Sequence, residues 1–226
     1  MNEENEMLSN AFRQAGKNDL EIIHTLCNHK IPNILIFYHL QQALEKFLKA
    51  SYIEISPGNQ NYNQIKKLGH NAGDISFKLI IEICSLYEKY FEENKQFYGE
   101  DKTNALIKFM NSFKDNVKKE LETTQKEYMD NIKNYDTFVN RIYCEFVKNK
   151  NKIIKNKQKP ILIATVGLFL SKCLYKMDII SRYPEEDFKF QNLSLLKNNI
   201  NSIDKIRTIL DFFIKESSPN DGSRNL

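Results

Sequence analysis

The chain has 226 residues, 41% of them hydrophobic, with 33 basic against 29 acidic side chains and a formal net charge of +4. That content supports a buried core for one large domain, or a domain with an appendage, and excludes wholesale disorder. So mild a charge excess does not by itself argue for a nucleic-acid partner.

With only 7 Gly and 5 Pro, the chain holds few turn-makers and many helix-formers. A first helix is predicted from about Asn5 to Asn28, with Leu8, Ala11, Phe12, Ala15, Leu20, Ile23 and Cys27 as a loose apolar stripe and Gly16 weakening its middle. Pro32 suits the first turn of a second helix, which runs to about Glu54 and stops at Ser56-Pro57-Gly58-Asn59. A polar loop over 59–74 then leads to a third helix, Gly73 to Glu93, with Asn71 or Asp74 as its N-cap. A short connection packs helices two and three antiparallel, unless the loop carries the chain back.

Beyond Tyr98-Gly99-Glu100-Asp101, apolar residues recur in steps of three and four, through Leu106, Met110, Phe113, Val117 and Leu121, then Tyr128, Ile132, Tyr135, Val139, Ile142 and Phe146. A single helix over 102–149 would measure about 70 Å, so a break or bend near Thr123–Thr124 is expected. The lysine-rich stretch 148–159 ends this region, and Pro160 opens an apolar helix to about Ile180. A last helix spans roughly Ser194 to Glu216, before a disordered tail at 218–226. No stretch alternates with period two. The expected fold class is all-α, an up-and-down helical bundle in which 1–100 form the core and 101–217 complete or extend it.

Four cysteines (Cys27, Cys84, Cys144, Cys173) stand far apart with no Cys-x-x-Cys, and read as buried thiols of a reducing compartment. No signal peptide is visible, and the most apolar run, 160–170, is short of the roughly 20 residues a bilayer needs. A cytoplasmic protein without membrane contact is expected. His24 and His29 are five residues apart and point away from each other on a helix, and no glycine-rich phosphate loop exists. Neither a metal nor a cofactor is expected.

The second helix carries the most pointed pattern. Over 38–50, YHLQQALEKFLKA, one side gathers Leu40, Ala43, Leu44, Phe47 and Leu48. The other lines up Tyr38, Gln42, Glu45 and Lys49, flanked by His39, Gln41 and Lys46. This polar line is either a solvated face with a Glu45–Lys49 pair worth about 0.2–0.5 kcal/mol, or a set of groups arranged to meet something. Buried, Glu45 needs a partner, because stranding its charge costs several kcal/mol; Lys46, Lys49 and His70 are the natural ones. His70 and Asn71 stand just before helix three, and His70 is the best acid–base candidate, with helix capping or a hydrogen bond to the polar line as its structural alternative. Lys148, Lys150, Lys152, Lys155, Lys157 and Lys159 form either a solvated linker or a phosphate-binding patch.

These residues carry a family resemblance. Gln42, Ala43, Glu45, Lys46, Lys49 and Ala50 match the Gln-Ala-x-Glu-Lys-x-x-Lys-Ala helix of the HEPN domain. Asp19 and Leu20 match the Asp-Leu of its preceding helix, and His70 and Asn71 its His-Asp/Asn-like step. The chain resembles that family over about residues 8–95. The resemblance implies an up-and-down bundle, a homodimer, and RNA or nucleotide binding. It also implies either metal-independent ribonuclease activity in toxin–antitoxin and phage-defence systems, or pairing with a protein such as a nucleotidyltransferase-type antitoxin. The ribonuclease members carry Arg followed four to six residues later by His. Here Arg13, Arg141, Arg182, Arg207 and Arg224 have no such His, and the histidines stand at 24, 29, 39 and 70. The expectation is therefore a HEPN-like protein without nuclease activity that binds nucleotide, RNA or a protein partner. The alternatives are a ribonuclease with a non-standard site around His70, Lys46 and Glu45, and a structural interaction module.

Overall fold

The computed structural model describes residues 2–28, 33–56, 58, 60–127, 135–155, 159–174 and 200–217. They form α1 (Glu3–Asn28), α2 (Asn33–Ile55), α3 (Tyr62–Lys66), α4 (Ala72–Glu93), α5 (Lys95–Tyr98), α6 (Glu100–Glu127), α7 (Tyr135–Lys155), α8 (Lys159–Cys173) and α9 (Ile200–Ser217), with no strand among them. The protein is an all-α bundle, as its periodicity requires.

Glu3, Glu4 and Glu6 lie in the first turn of α1, where the helix dipole favours negative charge. α1 and α2 form an antiparallel hairpin, with Ser9 beside Glu54 and Asp19 beside His39. Gly16, unfavourable for the helix by itself, is the point of closest approach: a Cβ there would lie 2.8 Å from the Phe47 ring. α2 is the centre of the bundle. Leu40, Leu44, Leu48 and Ile53 are fully buried among α1, α4, α8 and α9.

The connection after α2 is built rather than loose. The buried Asn5 side chain donates to the Gly58 carbonyl at 2.9 Å and accepts from the Gln60 N–H at 2.8 Å. Asn61 and Gln64 form a reciprocal capping box that opens α3, and Tyr62 stacks on Phe12 at 6.4 Å. The expectation of a plain polar loop over 59–74 is thus corrected, because the capping box and the inward-facing Ile65 and Leu68 give it a helical turn of its own.

This segment carries the chain back along the hairpin. His70 meets Glu45, Leu48 and Ser76 meet the same point of α8, and Tyr52 donates to Glu82 at 3.4 Å. α4 therefore runs in the same direction as α2, not antiparallel to it. Asn71 caps α4 by accepting from the Gly73 N–H at 2.9 Å, and Asp74 sits in the first turn. Since Tyr52 lies near the end of α2, roughly the last three turns of α4 extend beyond it. They turn through α5 into α6, which returns alongside, with Lys114 donating to Glu88 at 2.6 Å.

α6 runs unbroken through Thr123 and Thr124 to Glu127, so the expected break does not fall there. Residues 122–127 contain no Gly or Pro and are mostly good helix-formers, so nothing in them stops a helix. α7 and α9 lie side by side in one direction: Ser202 donates to Asp136, Lys205 to Asn140, and Phe146 packs edge-on against Phe212 at 5.0 Å. Over 163–170 α8 is apolar on nearly every side and correspondingly buried. At Gly167 a Cβ would lie 2.6 Å from Leu48, so this glycine serves close helix packing. No helix among the described residues is long and apolar enough to cross a membrane. The expected end of the α8 helix near Ile180, the start near Ser194 and the tail 218–226 lie outside the described residues.

Candidate functional site

The polar line of α2 faces inward. The Glu45 and Lys49 side chains are each 5% exposed, so neither belongs to a solvated surface. Lys49 Nζ donates to Glu45 Oε1 at 2.7 Å and lies 6.0 Å from the centre of the Phe12 ring. The same carboxylate oxygen meets His70 Nδ1 at 3.0 Å, while the His70 side chain is 66% exposed. A tautomer that donates Nδ1–H to Glu45 leaves Nε2 as a proton acceptor. Glu45 Oε2 and Gln42 Nε2, about one turn apart on the same helix, are buried and make no hydrogen bond among the described residues. Each such group costs about 1–3 kcal/mol.

Lys46 leaves this group for another. Its Nζ donates to Asp19 Oδ2, and the second oxygen of Asp19 meets His39 Nδ1 at 2.9 Å. Tyr38 stands edge-on to His39 at 5.1 Å. The Asp19 side chain is 8% exposed, a second buried carboxylate held by a lysine and a histidine. A third carboxylate, Glu54, pairs with Arg13 and accepts from Ser9 at 2.8 Å.

Of the residues expected at a site, the fold brings together Glu45, Lys49 and His70, with Gln42 beside them on α2. It sends Lys46 and Tyr38 to the Asp19–His39 group. Asn71 uses its side chain to cap α4. In the sequence Asp19 stands out only as part of the Asp-Leu match, Arg13 only as an arginine without a following His and Glu54 only as a helix end, and Ser9 carries no signal. Their role depends on the hairpin register, although the i,i+4 spacing of Ser9 and Arg13 is its faint trace in the sequence.

Chemically, each buried carboxylate is already neutralised by a cation. Among the described histidines, His70 combines an exposed imidazole with a buried carboxylate behind it, the geometry of an acid–base dyad. In the lysine-rich stretch, Lys148 is exposed and 4.0 Å from Glu145, and Lys150 is half-buried. The side chains of Lys152, Lys155 and Lys159, and the whole of Lys157, lie outside the described residues. An open groove of about 620 Å³ between α1 and α9 is lined by Lys17, Glu21, His24, Arg207 and Asp211, and this alternation of charges gives it no dominant sign.

All four cysteines are free thiols. Burial pushes the Cys27, Cys84 and Cys173 thiols up from their usual values, which makes them poor nucleophiles at neutral pH. Cys144 departs from the expectation of buried thiols: it is exposed, on the side of α7 away from the inward row Val139, Ile142 and Phe146.

No protein-family model matches this chain, and neither a curated protein nor a solved structure similar to it was found.

Proposed function

We propose that this chain is a HEPN-like helical binding module without nuclease activity, working in a prokaryotic defence or toxin–antitoxin setting by engaging another protein. The setting, the family and the accompanying homodimer rest on the resemblance of Gln42, Glu45, Lys46, Lys49 and His70 to the HEPN pattern. The supporting observation is that Lys46 and Lys49, the two lysines of the polar line and its flank, are held in internal ion pairs with Asp19 and Glu45. Turning either outward would strand a buried carboxylate at a cost of several kcal/mol, which favours a protein over a nucleotide or RNA as the ligand.

One observation favours a second reading, a metal-independent ribonuclease. The Glu45–His70 contact of 3.0 Å beneath an exposed imidazole would suit His70 as general base toward a ribose 2′-OH. Incubation of the purified chain with mixed cellular RNA, wild type against His70→Ala, separates the two. The binding-module reading expects no cleavage by either protein. Cleavage that His70→Ala abolishes would establish the ribonuclease, and salt-sensitive RNA binding without cleavage would move the ligand from protein to nucleic acid.

A further inference from the structure

We infer that the segment Gln60–His70, which includes α3, is a strap that opens as a unit while the bundle stays folded, and that its opening uncovers the Glu45–Lys49 pair of α2. The inference does not depend on which ligand the chain engages.

The strap is anchored over the polar line at both ends. Tyr62 stacks on Phe12, and Lys49 Nζ lies 6.0 Å from the centre of that same ring. At the other end His70 Nδ1 meets Glu45 Oε1 at 3.0 Å. Between these points the Glu45 and Lys49 side chains are each 5% exposed, whereas Tyr62 and His70 face water. The pair is therefore covered by the strap, not enclosed by the long helices alone.

Little holds the strap down. Ile65 and Leu68 are its two buried side chains. The Asn61–Gln64 capping box is exposed and internal to the strap, so it shapes the segment without attaching it. Every other described helix packs along at least one neighbour, but α3 approaches the others at isolated points at most. The polar attachment at its start is Asn5, in the first turn of α1, which holds the Gly58 carbonyl and the Gln60 N–H. Gly58 and Gly69 turn the chain at positive φ, and no neighbouring atom lies within 4 Å of where their Cβ atoms would be. Few buried apolar contacts and sparse packing mark a segment that opens at lower cost than the whole fold.

The layer around the pair favours opening. Glu45 Oε2, Gln42 Nε2 and, just after α2, Ser56 Oγ are buried without a hydrogen bond, and water admitted by an open strap would supply one. Turning Lys49 or Glu45 outward singly strands a charge, but lifting the strap hydrates both together and strands neither.

The test follows acetylation of individual lysines in the full chain by peptide mass spectrometry, beside amide hydrogen exchange. Asn5→Ala removes the attachment at the start of the strap. It should speed acetylation of Lys49 about tenfold, as expected for the loss of two hydrogen bonds of modest net strength. Lys172 of α8 is similarly buried and should keep its rate. The hydrogen-bonded amides of Ile65, Lys67, Leu68 and Gly69 should exchange faster by the same factor as Lys49, with the helical circular-dichroism signal unchanged. Tyr62→Ser alters only an exposed ring and should give a several-fold effect of the same pattern. Equal acceleration at Lys49 and Lys172 would overturn the strap, because the whole chain would then be opening. Faster strap amides with an unchanged Lys49 would overturn it as well, since α3 would be fraying without uncovering the pair. So would rates at Lys49 that neither variant alters.

Discussion

Replacing Lys49 by Met removes the cation from the most deeply buried ion pair while keeping the length of the side chain. Both partners are 5% exposed and 2.7 Å apart, so the Glu45 carboxylate would stay inside with one contact, His70 at 3.0 Å. Breaking a buried pair by deleting one member costs about 3–5 kcal/mol. The carboxylate keeps its hydrogen-bonding contact with His70, which places the loss at the lower end, about 3 kcal/mol. For a chain of this size that corresponds to a fall in Tm of about 6–12 °C. Glu45→Met/Lys49→Met removes both charges and fills the space with apolar groups, so it should lie within about 1 kcal/mol of wild type. The chain has no Trp, so urea titrations followed by far-ultraviolet circular dichroism are the appropriate assay. A single variant that loses under about 1 kcal/mol, or a double variant less stable than the single, would refute the view of Glu45–Lys49 as a desolvated pair.

Three further outcomes are expected. Gly16→Ala should destabilise by about 1–3 kcal/mol in the same titration despite the better helix propensity of Ala, because its Cβ meets the Phe47 ring, and Phe47→Leu in that background should recover part of the loss. Ellman's reagent at neutral pH should label Cys144 at once and Cys84 and Cys173 only after unfolding; because burial raises their pKa above the usual 9.0, their contribution to stability is intact below that value and falls as pH rises past it, a decline that Cys173→Ala should flatten. Asn71→Ala should cost about 1 kcal/mol by removing the cap on the Gly73 N–H, and Asn71→Asp should keep most of it.

The helices were legible because their apolar residues recur in steps of three and four and because glycine and proline are scarce. Asn71 could be named as a cap for the same local reason, since a short acceptor before an apolar run has few other uses. What periodicity could not show was how segments come together in space. Gly16 reads as a defect along α1 and becomes a contact only when Phe47 is opposite it. The return of 56–71 depends on Asn5, more than fifty residues earlier, holding Gly58 and Gln60. Thr123 and Thr124 suggested a break because they interrupt an apolar stripe, yet a missing contact does not end a helix that has no breaker in it.

The same distinction bears on the polar line of α2. A polar row on an amphipathic helix normally marks the side facing water, but α2 has α1, α4, α8 and α9 around it and little side left for water. Its charged residues therefore had to find partners inside, and they did so in two parallel sets, Asp19 with His39 and Lys46 and Glu45 with Lys49 and His70. In each set a buried carboxylate takes one lysine and one histidine. The first joins α1 to α2, and the second joins α2 to the segment that delivers α4. The residues behind the family resemblance are thus largely those that hold three stretches of chain in register, and their pattern follows from that need without any reaction. Of the two histidines in these sets, His70 is the one that presents its imidazole largely to solvent, so a chemical role for this centre stands or falls with that side chain.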